Sequence, residues 1–136
     1  MTEPTERGAL ILVVDDDEAV LEALADFLAV SGYRVARASN GARALDYLRN
    51  NPPPALVVHD LVMPVMDGWR LRKEMKKDSA MAALPVIVIS AVAEISEIDA
   101  EAVLVKPFNI AQFLELVNRL TRTSDGHGAD VKNKLN

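Results

Sequence analysis

The sequence contains no cysteine, which excludes disulfide bonds and thiolate metal sites and fits a reducing compartment. Aromatic residues make up only 4% of its 136 positions, so a core has to be built from Val, Leu, Ile and Ala. No apolar run approaches the ~20 residues needed to cross a bilayer. The polar start, Met1 to Gly8, carries two glutamates and lacks the apolar centre of a secretory leader. Basic residues are outnumbered, 15 Lys and Arg against 20 Asp and Glu, for a net charge of −5. That balance argues against a broad nucleic-acid footprint. The expectation is a soluble, cytoplasmic protein that contacts neither membrane nor nucleic acid directly.

Half of the residues are apolar, enough for one domain with a substantial core. Apolar β-rich runs alternate with segments of helical period. Strands are expected at Ala9–Val14, Arg34–Ala38, Ala55–Asp60, Val86–Ile89 and Ala102–Val105. The first is continuously apolar, as for a strand covered on both faces. Between them, Glu18–Val30 places Val20, Leu21, Leu24, Phe27 and Leu28 on one stripe, stopped by Ser31-Gly32 with Gly32 as a left-handed cap. Asn40-Gly41 starts a helix carrying Ala44, Leu45 and Leu48 that ends before Pro52-Pro53-Pro54. Further helices are expected from about Gly68 to Lys77 and from Ile110 to Leu120, with a short, weak helical stretch at Ala91–Ile98. Five βα units with short connections imply an α/β fold, a parallel sheet with helices on both faces. Thr121 to Asn136 is polar and aperiodic and reads as a flexible tail or the start of a linker.

The strand ends carry the chemistry. The first runs into Asp15-Asp16-Asp17, the third into Asp60, the fourth into Ser90 and the fifth into Lys106. Ligands of open α/β sheets lie beyond the carboxyl ends of the strands. Asp15, Asp16 and Asp60 would crowd negative charge that resists ionisation unless a cation compensates. Hard carboxylate oxygens without nearby His or Cys point to magnesium rather than zinc, with manganese as the alternative ion. Magnesium favours few carboxylates plus phosphate oxygens, and an aspartate can act as nucleophile to form an aspartyl phosphate. Lys106 would supply a positive charge to a phosphoryl oxygen and Ser90 a hydrogen bond to another. A cis Lys106-Pro107 bond would aim the lysine inward.

Four motifs in order, Val13-Val14-Asp15-Asp16, Asp60-Leu61-Val62-Met63-Pro64-Val65-Met66-Asp67-Gly68, Ser90-Ala91 and Lys106-Pro107-Phe108, make the chain resemble the receiver domains of bacterial two-component response regulators. It is similar to the chemotaxis regulator, and the resemblance covers residues 8–121, leaving 122–136 as tail. It implies a flavodoxin-like, doubly wound (βα)5 sheet of strand order 2-1-3-4-5. It also implies that Asp60 accepts a phosphoryl group from a histidine kinase, a phosphotransfer protein or a small phosphodonor. Asp16 and Asp60 would ligate magnesium directly, Asp15 through water, and Val62 through its backbone carbonyl. Ser90 would be the switch hydroxyl, Ala91 the small residue leaving the phosphoryl group accessible, and Lys106 its counter-charge. Such a chain is a switch rather than a turnover enzyme. Its target is a downstream protein or a fused output domain, the chain being either stand-alone or the amino-terminal part of a longer protein.

Two departures stand out. Val103 occupies the position where receivers usually carry an aromatic switch residue, and a β-branched side chain has no ring to swing. Ser90 and Lys106 are sixteen positions apart. That is about six fewer than receivers generally have, a loss of on the order of 9 Å of helix at ~1.5 Å per residue, so a shortened fourth helix is expected. Two alternatives follow: a receiver-like binding module that signals without phosphorylation, and a magnesium-dependent aspartyl-phosphate phosphatase built on Asp15-Asp16-Asp17. Other residues read as structural. Asp17 caps a helix, Asp67-Gly68 makes a turn and helix start, and Pro107 shapes its loop. His59 is a packed core or surface histidine facing away from Asp60. Trp69 and Phe108 pack, and Arg70, Arg72, Lys73, Lys76 and Lys77 form a solvated helix face.

Overall fold

A computed structural model describes residues 8–91 and 98–124. Its elements are β1 (Leu10–Val14), α1 (Glu18–Val30), β2 (Arg34–Ala38), α2 (Gly41–Asn50), β3 (Leu56–Asp60), α3 (Gly68–Met75), α4 (Ser79–Ala82), β4 (Val86–Ser90), β5 (Ala102–Val105) and α5 (Ile110–Ser124). All five strands are parallel, in the order β2-β1-β3-β4-β5. This is the parallel α/β sheet expected from the alternation, in the doubly wound strand order that the resemblance implies.

Side chains alternate across the sheet, so each face has its own core. On one face Leu12, Val14, Val57, Val86 and Val88 pack under Ala44, Leu45 and Leu48 of α2, Leu71 and Met75 of α3, and Met81 and Leu84. On the other, Ile11, Val13, Leu56, Val58, Ile87 and Ile89 pack under Leu21, Leu24 and Leu28 of α1 and Phe113 and Val117 of α5. The central strands β1, β3 and β4 are buried almost throughout, which is why they read as continuous apolar runs. Edge strands β2 and β5 are only partly covered.

Helix starts follow local chemistry. Asp17 accepts hydrogen bonds from the amides of Ala19 and Val20, Asn40 from Arg43, and Asp67 from Arg70. Gly32 closes α1 at φ 101°, a left-handed conformation that costs glycine little.

The structure adds one helix to those expected and extends another. The segment between Lys77 and Pro85 holds a helix, α4, begun by the Asp78 carboxylate accepting from the amides of Ala80 and Met81. The last helix runs to Ser124 rather than Leu120, into the stretch expected as a tail. The shortened helix between β4 and β5 falls largely on residues 92–97, outside the described residues. Residues 98–100 carry no helix, although Ile98 and Ala100 pack against the first core. Among the described residues, no helix is long and apolar enough to cross a membrane.

Candidate functional site

Strand register assembles the site. Val14 pairs with His59 across β1 and β3, so the next residues, Asp15 and Asp60, come level at the carboxyl edge. Ser90 pairs with Val105 across β4 and β5, which brings Lys106 to the same edge. The Lys106 amide donates to the Ser90 carbonyl at 2.7 Å, and the Lys106–Pro107 bond is cis.

One carboxylate oxygen from each of Asp15, Asp16 and Asp60 lies within 4.8 Å of the others. Asp15 is 2% exposed and Asp60 9%, while Asp16 is open to solvent. Lys106 Nζ stands 3.6 Å from Asp15 Oδ2 and 3.5 Å from Asp60 Oδ2. The other oxygens are used locally: Asp15 Oδ1 accepts from the Asp17 amide at 2.9 Å and Asp60 Oδ1 from the Leu61 amide at 2.7 Å. Burial pushes the Asp15 carboxyl above its ordinary value. The Asp17 amide and Lys106 pull it back, and the charges of Asp60 and Asp16 push it further up. One lysine thus faces three acids. The donor set, hard oxygens with uncompensated negative charge and one ligand open to water, fits a magnesium ion held by Asp15, Asp16 and Asp60.

The loop after β3 is pinned at both ends. Leu61 and Met63 are buried in the first core, whereas Val62 and Val65 are exposed. Val65 has φ 72° and the Met66 amide donates to the Pro64 carbonyl at 2.7 Å, a γ-turn that a β-branched residue adopts under strain. Met66 in turn accepts from the Gly41 amide at 3.0 Å, docking the loop on α2. Gly68 opens α3 with its amide 2.7 Å from the Leu61 carbonyl. A Cβ there would stand 2.5 Å from the Asp60 carbonyl oxygen, so only glycine lets α3 start this close to the acid.

Ser90 is fully buried at the end of β4, beside the exposed Ala91. Val103 lies in β5 with 39% of its surface exposed. Phe108 packs on Phe113, ring centroids 5.6 Å apart, as expected. Trp69, read as a packing residue, is 37% exposed and belongs to neither core cluster.

The solvated face expected of Arg70, Arg72, Lys73, Lys76 and Lys77 is exposed except at Arg72. Arg72 is 5% exposed and donates through Nε to the Asp99 carbonyl at 2.7 Å. The signal was present, because Gly68, Leu71, Arg72 and Met75 share the buried stripe of this helix. His59 is buried as expected, on the face away from the carboxylates. Its bond from Nδ1 to the Asp60 carbonyl, at 2.8 Å, was not foreseen.

The family model described as the response regulator receiver domain matches residues 11–118. The chain belongs to this family. Among curated relatives, the receiver is 40% identical over 127 residues to the response regulator MprA of Mycobacterium sp. strain KMS, covering 88% of this chain and 54% of MprA. It thus spans about half the length of the curated relatives it matches. Among solved structures, it is similar to the receiver domain of the Francisella response regulator 1452, with TM-score 0.79 and 27% identity over 86% of this chain and 99% of that one. It is also similar to the response regulator TrrA of Thermotoga maritima in complex with Mg(2+)-BeF, with TM-score 0.73 and 31% identity over 82% and 98%.

Proposed function

We propose that this receiver is a phosphorylatable switch in which Asp60 is the phosphoacceptor. The observation that carries the reading is the meeting of three carboxylates and one lysine at three strand ends, with Asp60 Oδ2 held 3.5 Å from Lys106. Asp60 Oδ1 is engaged by the Leu61 amide, which orients the carboxylate and leaves Oδ2 as the nucleophile. That oxygen attacks phosphorus, an O–P bond forms, and the P–N bond of a phosphohistidine or the P–O bond of acetyl phosphate breaks. The electron pair leaves with the imidazole or acetate.

Asp15, Asp16, Asp60 and the Val62 carbonyl would hold the magnesium ion, which neutralises phosphoryl oxygens when bound. Lys106, freed from its shared contact with Asp60, pairs with a phosphoryl oxygen, and Ser90 donates to another. Ala91 leaves the approach open, Gly68 fixes α3 beneath the acid, and Pro107 shapes the turn after Lys106. The donor is a sensor histidine kinase, a phosphotransfer protein or a small phosphodonor. The message passes to a downstream protein or to an output domain in a longer chain, and the domain itself is residues 8–121.

The phosphatase alternative is disfavoured by Asp17. Its carboxylate is occupied by the first-turn amides of α1. Intact-mass measurement after incubation with acetyl phosphate and magnesium tests the reading. Wild type gains one phosphoryl group and Asp60→Asn does not. Equal labelling of both, or no magnesium-dependent adduct on wild type, overturns it.

A further inference from the structure

Two buried polar side chains, His59 and Arg72, take no part in the chemistry above. His59 is fully buried and Arg72 is 5% exposed. A carbonyl can only accept, so His59 Nδ1 carries the proton in its bond to Asp60 and Nε2 is left as an acceptor. Neither His59 Nε2 nor Arg72 Nη1, a donor, has a hydrogen-bond partner among the described residues. They are complementary groups on neighbouring elements, and burial without a partner is costly for both. At its other side Arg72 is committed: Nε donates to the Asp99 carbonyl at 2.7 Å and Nη2 lies 4.0 Å from Asp99 Oδ2.

The Asp60 carboxylate is bonded to the Leu61 amide, so a change at that carboxylate reaches the Asp60–Leu61 peptide. A Cβ on Gly68 would meet the Asp60 carbonyl at 2.5 Å, Leu61 Cα at 2.9 Å and His59 Cε1 at 3.0 Å. Displacing that peptide must therefore move His59 and the first turn of α3 together. One turn further along, Arg72 meets Asp99, which precedes β5. Two residues on, the Glu101 amide donates to the Val86 carbonyl at 2.9 Å while the Glu101 carboxylate accepts from the Val86 amide at 2.7 Å.

We propose that Arg72 is a positioning residue that couples the state of Asp60 to the connection entering β5. Unloaded, it holds Asp99 on α3. Loading Asp60 shifts the first turn of α3, withdraws the guanidinium from Asp99 and frees the connection. This route does not need an aromatic residue at Val103. The proposal rests on the phosphoacceptor reading.

Amide hydrogen exchange, with and without magnesium and beryllofluoride, tests it, with fluorine NMR of the bound beryllofluoride reporting binding separately. In wild type, exchange at the Glu101 amide rises about tenfold on loading, the scale of losing one charge-assisted hydrogen bond. Arg72→Met exchanges at that faster rate already and does not respond, while still binding beryllofluoride. Arg72→Lys, which keeps the charge but loses the planar fork, behaves in the same way. Lys76→Met, which removes the surface partner of the Asp99 carboxylate, keeps the response. A response that survives in Arg72→Met, or wild type that binds but does not respond at Glu101, overturns the coupling alone. Wild type that fails to bind overturns the phosphoacceptor reading, and the coupling falls with it.

Discussion

The amide of Lys106 donates to the carbonyl of Ser90 at 2.7 Å, so the cation and the hydroxyl of the site are fixed by one backbone bond between β4 and β5. That bond survives any change to the lysine side chain. Lys106→Met is therefore expected to fold but to leave Asp15 and Asp60 facing each other without their shared cation. The cost should be about 1–2 kcal/mol in the absence of divalent ions, measured by urea denaturation. A variant as stable as wild type in EDTA would show that the lysine does not compensate these acids.

The opposite change, Asp16→Asn, removes one of the three clustered charges at the exposed position. In EDTA it should stabilise the fold by on the order of 0.5–1 kcal/mol, discounted for solvent screening. The magnesium-dependent rise in melting temperature expected of wild type should shrink or disappear. An unchanged magnesium response would remove Asp16 from the ligand set.

Gly68→Ala places a methyl carbon 2.5 Å from the Asp60 carbonyl and 2.9 Å from Leu61 Cα, both backbone atoms. Neither can step aside without moving β3 or α3, so a loss of about 1–3 kcal/mol is expected. Calorimetric melting of the two proteins side by side is decisive, and equal midpoints would contradict the close approach.

At Val65 the direction reverses. Its side chain is 83% exposed, so no core contact is lost with it, while its φ of 72° is strained for a β-branched residue. Val65→Gly is expected to gain roughly 1 kcal/mol, read from the denaturant midpoint. Destabilisation would mean that the valine makes contacts worth more than the strain.

Lys76 hydrogen-bonds the Asp99 carboxylate and holds it below its ordinary value of 3.8. A depressed folded value means that the unfolded chain binds more protons in this range, so the associated stability is present above 3.8 and is lost as pH falls through the folded value. A carboxyl carbon titration by NMR should place Asp99 below 3.8 in wild type and closer to it in Lys76→Met.

Much of this was legible in the residues. The strands betrayed themselves because β1, β3 and β4 are covered on both faces, and Asp15, Asp60, Ser90 and Lys106 because each ends such a run. Asp17, Asn40, Asp67 and Gly32 announced helix boundaries through local hydrogen bonding and backbone freedom. Arg72 was misread because five cations within eight residues look like a wet surface. Helical spacing from Gly68 and Leu71 already put it on the inner stripe. The helix α4 is a single turn whose only warning was Asp78 before small residues, too little for a periodicity to register. The bond from His59 to the Asp60 carbonyl depends on how tightly α3 closes over β3, a matter of packing that no local pattern encodes.

The register between β1 and β3 also bears on how the site comes into being. Asp15 and Asp60 lie 45 positions apart in the chain and become neighbours only when Val14 is opposite His59. Nothing local draws them together beforehand, and their charges oppose the encounter. Closing that long loop is an entropic cost borne by apolar pairing of the two strands. A chain emerging residue by residue therefore has β1, α1 and β2 in hand before any acceptor pocket exists. Only a polypeptide that has completed its central strand pair can present one, so the proposed acceptance of a phosphoryl group would certify that the middle of the sheet has folded.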